Sequence, residues 1–345
     1  MKKLLLLAML GLAGCKRTTP GALVDPALST LVPADTTLLV GVRVEDLLKT
    51  PIYKKYLADR ALAPLDDFSK QFGIDPRKDI WELLYISNGQ ENVILGRGKF
   101  PSEPEQRFPS ELQGATRTKY RGYTLIGNEQ TALVLIGGSI AAAGDTAGLK
   151  RILDTRDKSN GPPPVLAARM KEVPVTAGLW SVYAGSPVSF PANGAPKQGK
   201  GKGKGNGKGN GGPGNPALAS ANLANANLGN VMKVLNSITS GAFYLDLRTQ
   251  VSGKATGIAP TTAAAKELYD ALRGLLGLGR LMGAKDDVKM QRLFDGLRIT
   301  QDGATVNFYI EEQEDAITTV LDFMTAALGQ QRPSAPSAPG PQPLK

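Results

Sequence analysis

Two dipeptides, Asn88-Gly89 and Asp302-Gly303, constrain this chain more than any other feature. Each lies between short apolar runs: Trp81 to Ile86 and Val93 to Leu95 around the first, Leu297 to Thr300 and Val306 to Ile310 around the second. A left-handed turn pair between strand-like runs folds them back as antiparallel neighbours. Two such hairpins far apart in the chain therefore call for antiparallel sheet rather than strand–helix–strand crossovers.

The remaining periodicity completes that picture. Leu38, Val40, Val42 and Val44 alternate as a strand with one buried face, and strands are expected near 124–126, 132–136, 140–143 and 179–183. Phe243, Leu245 and Leu247 alternate with Asp246 and Arg248 in another. Thr50-Pro51 reads as a helix cap followed by proline at the first helical position, opening a helix with Ile52, Tyr53, Tyr56 and Leu57 on one side. Leu65, Phe68 and Phe72 mark a second short helix stopped by Gly73. Further helices are expected from Asp145 to Leu153, over 218–238, and over 263–278 with Leu268, Leu272, Leu275 and Leu276 inward. A closing helix would begin with Glu311, Glu312, Glu314 and Asp315 at its positive end and bury Ile317, Val320, Leu321, Met324 and Leu328.

The expected class is α+β, with antiparallel sheets built from hairpins and covered by helices. Thr36-x-x-Leu39-x-x-Val42 and Thr176-x-x-Leu179-x-x-Val182 share a spacing, each shortly after Val-Pro, and suggest two similar halves.

The first residues carry a different message. Lys2 and Lys3 precede an apolar stretch, Leu4 to Leu12, and then Ala13, Gly14 and Cys15, the one cysteine of 345 residues. The stretch is too short to span a bilayer, for which roughly 20 apolar residues are needed, and has the layout of a secretory leader. Leu12-Ala13-Gly14-Cys15 resembles the lipobox of bacterial lipoproteins. That resemblance implies cleavage before Cys15, a diacylglycerol on its thiol and acylation of the new amine. Two or more acyl chains anchor stably where one does not. Lys16 stands where an aspartate would retain such a protein at the inner membrane, so the resemblance implies the outer membrane, on its periplasmic or outer face. A single cysteine permits no intramolecular disulfide, so packing must hold the fold, and an apolar share of 41% supplies it.

The expected organisation is therefore a leader over 1–14, a lipidated tether over 15–30, and α+β blocks over 31–192 and 217–329. A Gly/Lys/Asn-rich loop over 193–216 joins the blocks, and a proline-rich tail covers 330–345. Much of the formal charge of +10 sits outside the blocks: Lys2 and Lys3 leave with the leader, and Lys197, Lys200, Lys202, Lys204 and Lys208 belong to the loop, so about +3 remains. Nucleic acid is not an expected partner. Gly207 to Gly212 matches a dinucleotide-binding spacing, but in a glycine run, without the strand and helix that give the motif meaning. Phe72-Gly73-Ile74-Asp75-Pro76, followed by Asp79-Ile80, resembles a pattern in bacterial envelope proteins and implies no particular activity.

The chain has no histidine, which removes Ser-His-Asp and Cys-His catalysis and most zinc sites. Paired carboxylates could run glycoside hydrolysis without it. The visible clusters are Asp66/Asp67, Asp79/Glu82 and Asp286/Asp287, each near an expected helix start where capping accounts for an acid. Trp81 and Trp180 would be the sugar-stacking platforms of a glycan binder, yet both lie in apolar runs that favour the core. The sequence thus reads as a lipid-anchored envelope protein, held to the membrane through Cys15, that binds or scaffolds an envelope protein or glycan without catalysis, cofactor or metal. The alternative is a carboxylate-dependent, glycoside-type hydrolase.

Overall fold

In the computed structural model, the residues described are 22–56, 58, 74–100, 116–156, 158–185, 237–248, 250–283 and 294–312. Their centre is an antiparallel pair made by β1 (Leu38–Val42) and β8 (Leu179–Ala184), with Leu39 opposite Val182 and Gly41 opposite Trp180. From this pair one 12-stranded sheet extends both ways, in the order β11-β12-β10-β9-β8-β1-β2-β3-β7-β6-β5-β4. On one side lie β2 (Ile80–Ser87), β3 (Asn92–Gly98), β7 (Ile140–Asp145), β6 (Thr131–Ile136), β5 (Tyr123–Gly127) and β4 (Thr116–Tyr120). On the other lie β9 (Ser240–Asp246), β10 (Val251–Ile258), β12 (Thr305–Glu312) and β11 (Leu297–Asp302). Among the described residues every pairing is antiparallel and seven α-helices accompany the sheet, so the protein is α+β.

The strand order shows two related halves. β1-β2-β3-β7-β6 and β8-β9-β10-β12-β11 are the same path read outward from the central pair, with the β4–β5 hairpin added to the first. The spacing shared by Thr36/Leu39/Val42 and Thr176/Leu179/Val182 does not mark the equivalence. Leu39 is buried whereas Leu179 is only half-buried, and it is Trp180 and Val182 that share the buried face with Leu39 and Gly41. A one-residue offset puts a strand's side chains on the wrong face.

That face carries the main core. Leu39, Leu84, Leu95, Val134, Ala142, Trp180 and Val182 meet three helices there: α1 (Pro26–Ser29) through Leu28, α5 (Thr146–Thr155) through Leu149 and Ile152, and α6 (Pro164–Met170) through Leu166. The opposite face has smaller clusters. Ile74, Ile80, Phe100, Ile126 and Leu133 form one. In the second half, α7 (Thr262–Gly283) lays Ala265 and Leu268 over Val306 and Ile299. Among the described residues no helix is long and apolar enough to cross a membrane.

Glycine decides how the centre packs. Trp180 is 1% exposed and lies flat over Gly41; a Cβ there would come within 2.2 Å of the indole. Tyr183 covers Gly241 on β9 in the same manner, 2.3 Å from where its Cβ would be. Both are directly opposed aromatic–glycine pairs, in which the ring shields backbone that the glycine leaves bare. This is why the alternation of Leu38, Val40 and Val42 misleads: those residues are half-buried, and Leu39 and Gly41 face the main core. Val44 is not in the strand but opens α2 (Val44–Lys49).

The hairpins form where the dipeptides stand. Asn88 Oδ1 accepts from the amides of Gln90 and Glu91 and Gly89 has φ +88°, which closes a four-residue loop between β2 and β3. Asp302 pairs with Thr305 around Gly303-Ala304, with Gly303 at φ +54°. A third tight turn, Arg121-Gly122, has φ +51° and +82° and joins β4 to β5, the two-residue geometry of a type I′ turn. The Thr50 hydroxyl caps α3 (Pro51–Tyr56) by accepting from Tyr53 N at 3.1 Å. Asp75 caps α4 (Pro76–Asp79) through Arg77 N at 3.0 Å.

Two expectations change. Glu311 and Glu312 end β12 instead of opening a helix. Residues 22–30, expected to be tether, belong to the folded body: Leu23, Val24 and Leu28 are buried, as are Leu31 and Val32 just beyond. The expected helices around Leu65–Phe72 and over 218–236, the loop over 193–216 and the Ile317–Leu328 stretch lie outside the described residues, as does Cys15.

Candidate functional site

The polar cluster most deeply set in the fold lies under this N-terminal segment. Asp25-Pro26 starts α1 as aspartate caps do, with Asp25 Oδ1 accepting from Ala27 N at 2.7 Å. Its other oxygen, Oδ2, accepts from Arg97 Nε at 3.3 Å. The Asp25 amide donates to both oxygens of Glu82, at 3.1 and 3.3 Å. Asp25 and Glu82 are 7% and 4% exposed.

Strand alternation puts Glu82 there. It sits two residues before Leu84 and four before Ile86, so it points into the main core with them. Burial above all, with the neighbouring Asp25 carboxylate acting in the same sense, pushes the Glu82 carboxyl up to about 7. The Asp25 amide, Arg43 and Arg97 act in the opposite sense and do not overcome desolvation. Glu82 is thus an acid that holds its proton into the neutral range.

Arg97 links the cluster to a neighbouring surface. Its Nη1 donates to Ser139 O at 2.9 Å and its guanidinium lies 5.7 Å from the centre of the Trp81 ring, within cation–π range. Trp81 is 41% exposed, contrary to the core position expected of it. The reason is a bulge: Ile80 pairs with Gly98 and Glu82 with Arg97, which leaves Trp81 as the extra residue and turns it outward. Trp180 is in the core as expected.

Arg43 holds the segment's first residue. Its Nη2 donates to Ala22 O at 2.6 Å and its Nη1 to Val175 O. Beside it a groove of about 320 Å³ opens at the end of β1, β8 and β9, lined among others by Arg43, Asp46, Lys49, Thr50, Asp246 and Arg248. Its charges are largely matched: Asp46 lies 3.6 Å from Arg43, Lys49 pairs with Glu45 at 2.7 Å, and Arg248 grips Asp246 through several short contacts.

Of the acid pairs, Asp79/Glu82 lies among the described residues, and its two carboxylates serve separate contacts. Asp79 Oδ2 accepts from Asp75 N at 2.8 Å and closes its own loop, while Glu82 is sealed under Asp25. Asp66/Asp67 and Asp286/Asp287 lie outside the described residues. Asp25 and Arg97 were not expected at all. The Asp-Pro pair at 25–26 was a legible helix start, but nothing in sequence links it to a glutamate 57 residues on. What the arrangement does chemically is clasp the segment: the Asp25 amide on Glu82 and the guanidinium contacts of Arg43 and Arg97 hold residues 22–25 against the sheet.

No family model matches the chain, and no curated protein matches it. It is similar to solved structures of TP0453. Crystal form I aligns with TM-score 0.44 at 10% identity over 87% of this chain and 98% of that one. Form III gives 0.48 at 11% identity over 87% and 98%, and form IV gives 0.42 at 11% over 85% and 95%.

Proposed function

We propose that this is a lipid-anchored protein of the bacterial cell envelope, attached through Cys15, that binds or scaffolds another envelope component without catalysing a reaction. The observation that carries the reading is the junction between anchor and fold. The lipobox-like Leu12-Ala13-Gly14-Cys15 ends seven residues before Ala22, where buried side chains and the Arg43, Arg97 and Glu82 contacts already fix the chain. A lipid on Cys15 would therefore act on a body clasped at its first residues, the arrangement a membrane-held scaffold needs. The binding role is supported by where the acids sit. Asp79 closes a loop and Glu82 is sealed beneath the segment that carries Asp25, so a hydrolase built on Glu82 would have to lift residues 22–32 to admit substrate.

Acyl labelling of wild-type and Cys15→Ser protein in a bacterial host tests the anchor. Wild type should take up label and sediment with membranes. Cys15→Ser should lose the label and appear soluble or as an uncut precursor, with unchanged thermal unfolding, since among the described residues the core begins at Leu23. Unlabelled, soluble wild-type protein refutes the anchor. Crosslinking in native membranes followed by capture then identifies the partner.

A further inference from the structure

The clasp fixes Ala22 at one end of the sheet, and with it the end that a short tether from Cys15 can bring to a membrane. Ala22 sits beside Arg43 at the end of β1 that adjoins the start of β8 and the end of β9. From Cys15 to Ala22 is seven peptide units, which span at most about 25 Å fully extended. The far end of the sheet, at the β2–β3 hairpin, lies a further eight strand residues away, about 26 Å along β2.

Among the described residues the two ends differ in charge. At the near end the acids Glu45, Asp46, Glu172 and Asp246 each have a cation beside them, in Lys49, Arg43, Arg169 and Arg248, and Asp79 and Glu311 stand at that end as well. Exposed Lys54, Lys99 and Lys171 form no ion pair among the described residues, with Asp79 paired through the backbone to Lys99 and Glu172 next in the chain to Lys171. At the far end Asp35, Glu91, Glu129 and Asp145 gather, and Arg151 is the cation that meets two of them, bonding Asp35 and, at 2.7 Å, Glu91. Val175, 43% exposed, adds an apolar side chain to the near end.

We propose that the near end, with Lys54, Lys99, Lys171 and Val175 around Ala22, is the surface this protein turns to an anionic lipid layer. The proposal rests on the Cys15 anchor. A short tether brings this end within reach of headgroups, the spare lysines are attracted to their phosphates, and the acidic end is repelled outward. The attraction acts over a Debye length of about 8 Å at physiological salt, so it discriminates only once the tether has brought the body close.

The chain's one cysteine is taken by lipid, so a second, engineered cysteine reports position without ambiguity. Full-length acylated Val175→Cys and Gln90→Cys, each carrying a dye, are reconstituted in vesicles of equal parts phosphatidylcholine and phosphatidylglycerol. Energy transfer to a headgroup-labelled lipid is then read. Transfer from position 175 should exceed that from 90 several-fold. The difference should shrink in phosphatidylcholine alone, in high salt, and with Lys54→Glu, Lys99→Glu and Lys171→Glu combined. Equal transfer from the two positions in anionic vesicles refutes the orientation while leaving the anchor standing. A difference insensitive to lipid charge and salt refutes recognition of anionic lipid. Protein that takes no acyl group and does not float with vesicles removes the anchor, and this surface with it.

Discussion

Replacing Gly41 with alanine should be among the most damaging single-methyl additions this protein can suffer. The new Cβ would stand 2.2–2.3 Å from three atoms of the Trp180 indole, where carbon–carbon contacts relax only at about 3.5–4.0 Å. Trp180 has no exposed side to swing toward, being 1% exposed between the main-core helices and β1. Overpacking of this kind costs about 1–3 kcal/mol, and alanine returns about 0.4–1 kcal/mol by restricting the unfolded chain. A net loss of about 1–2 kcal/mol follows, a fall in Tm of roughly 2–8 °C for a body of this size. Urea unfolding of the full chain followed by far-ultraviolet circular dichroism measures it without relying on tryptophan fluorescence. The decisive comparison is with Trp180→Phe and the double variant. A smaller ring at 180 makes room for the methyl, so the double variant should be more stable than the sum of the single losses predicts, by at least about 1 kcal/mol. Gly41→Ala within 0.5 kcal/mol of wild type, or strict additivity in the double variant, would show that the indole does not seat on Gly41.

Glu82 gives the stability a defined pH dependence. Its carboxyl is raised in the folded state from an ordinary value near 4.5 to about 7, so the folded protein binds the extra proton between those values. Its contribution is complete below about pH 4.5, declines as pH rises toward 7 and is gone above it; the span corresponds to about 3 kcal/mol. Glu82→Gln should remove that decline and unfold at a higher temperature than wild type at pH 8, and identical pH profiles for the two proteins would refute the buried-acid account. Truncation separates tether from clasp: a chain starting at residue 20 should match the full-length protein in thermal unfolding. One starting at residue 33, stripped of Leu23, Val24, Leu28, Leu31 and Val32, should lose several kcal/mol or fail to fold. Equal Tm values for the two would show that the segment is dispensable.

Local chemistry settled much of this fold before any contact was known. Asn88-Gly89 and Asp302-Gly303 dictate turns because glycine reaches left-handed backbone without strain, and Thr50-Pro51 caps α3 because its hydroxyl and its missing amide act within one turn of the chain. The antiparallel α+β class follows from such short-range rules, and so do most of the strands. What sequence could not decide is which partner each side chain meets. Leu38, Val40 and Val42 look like a buried stripe, but the main core belongs to Leu39 and Gly41, because an indole 139 residues later in the chain occupies the space a side chain would fill. Trp81 reads as core and is turned outward by a one-residue bulge that depends on the register of β3. Glu82 reads as an acid near a helix start, and its environment is made by Asp25 and Arg97, brought to it from opposite directions along the chain. Residues 22–30 read as tether because their few apolar side chains form no long periodic element; Leu23, Val24 and Leu28 are core because the sheet presents a face for them to cover. Turns and caps are fixed by atoms a few bonds apart, whereas burial and carboxyl protonation depend on distances that exist only after the strands have paired.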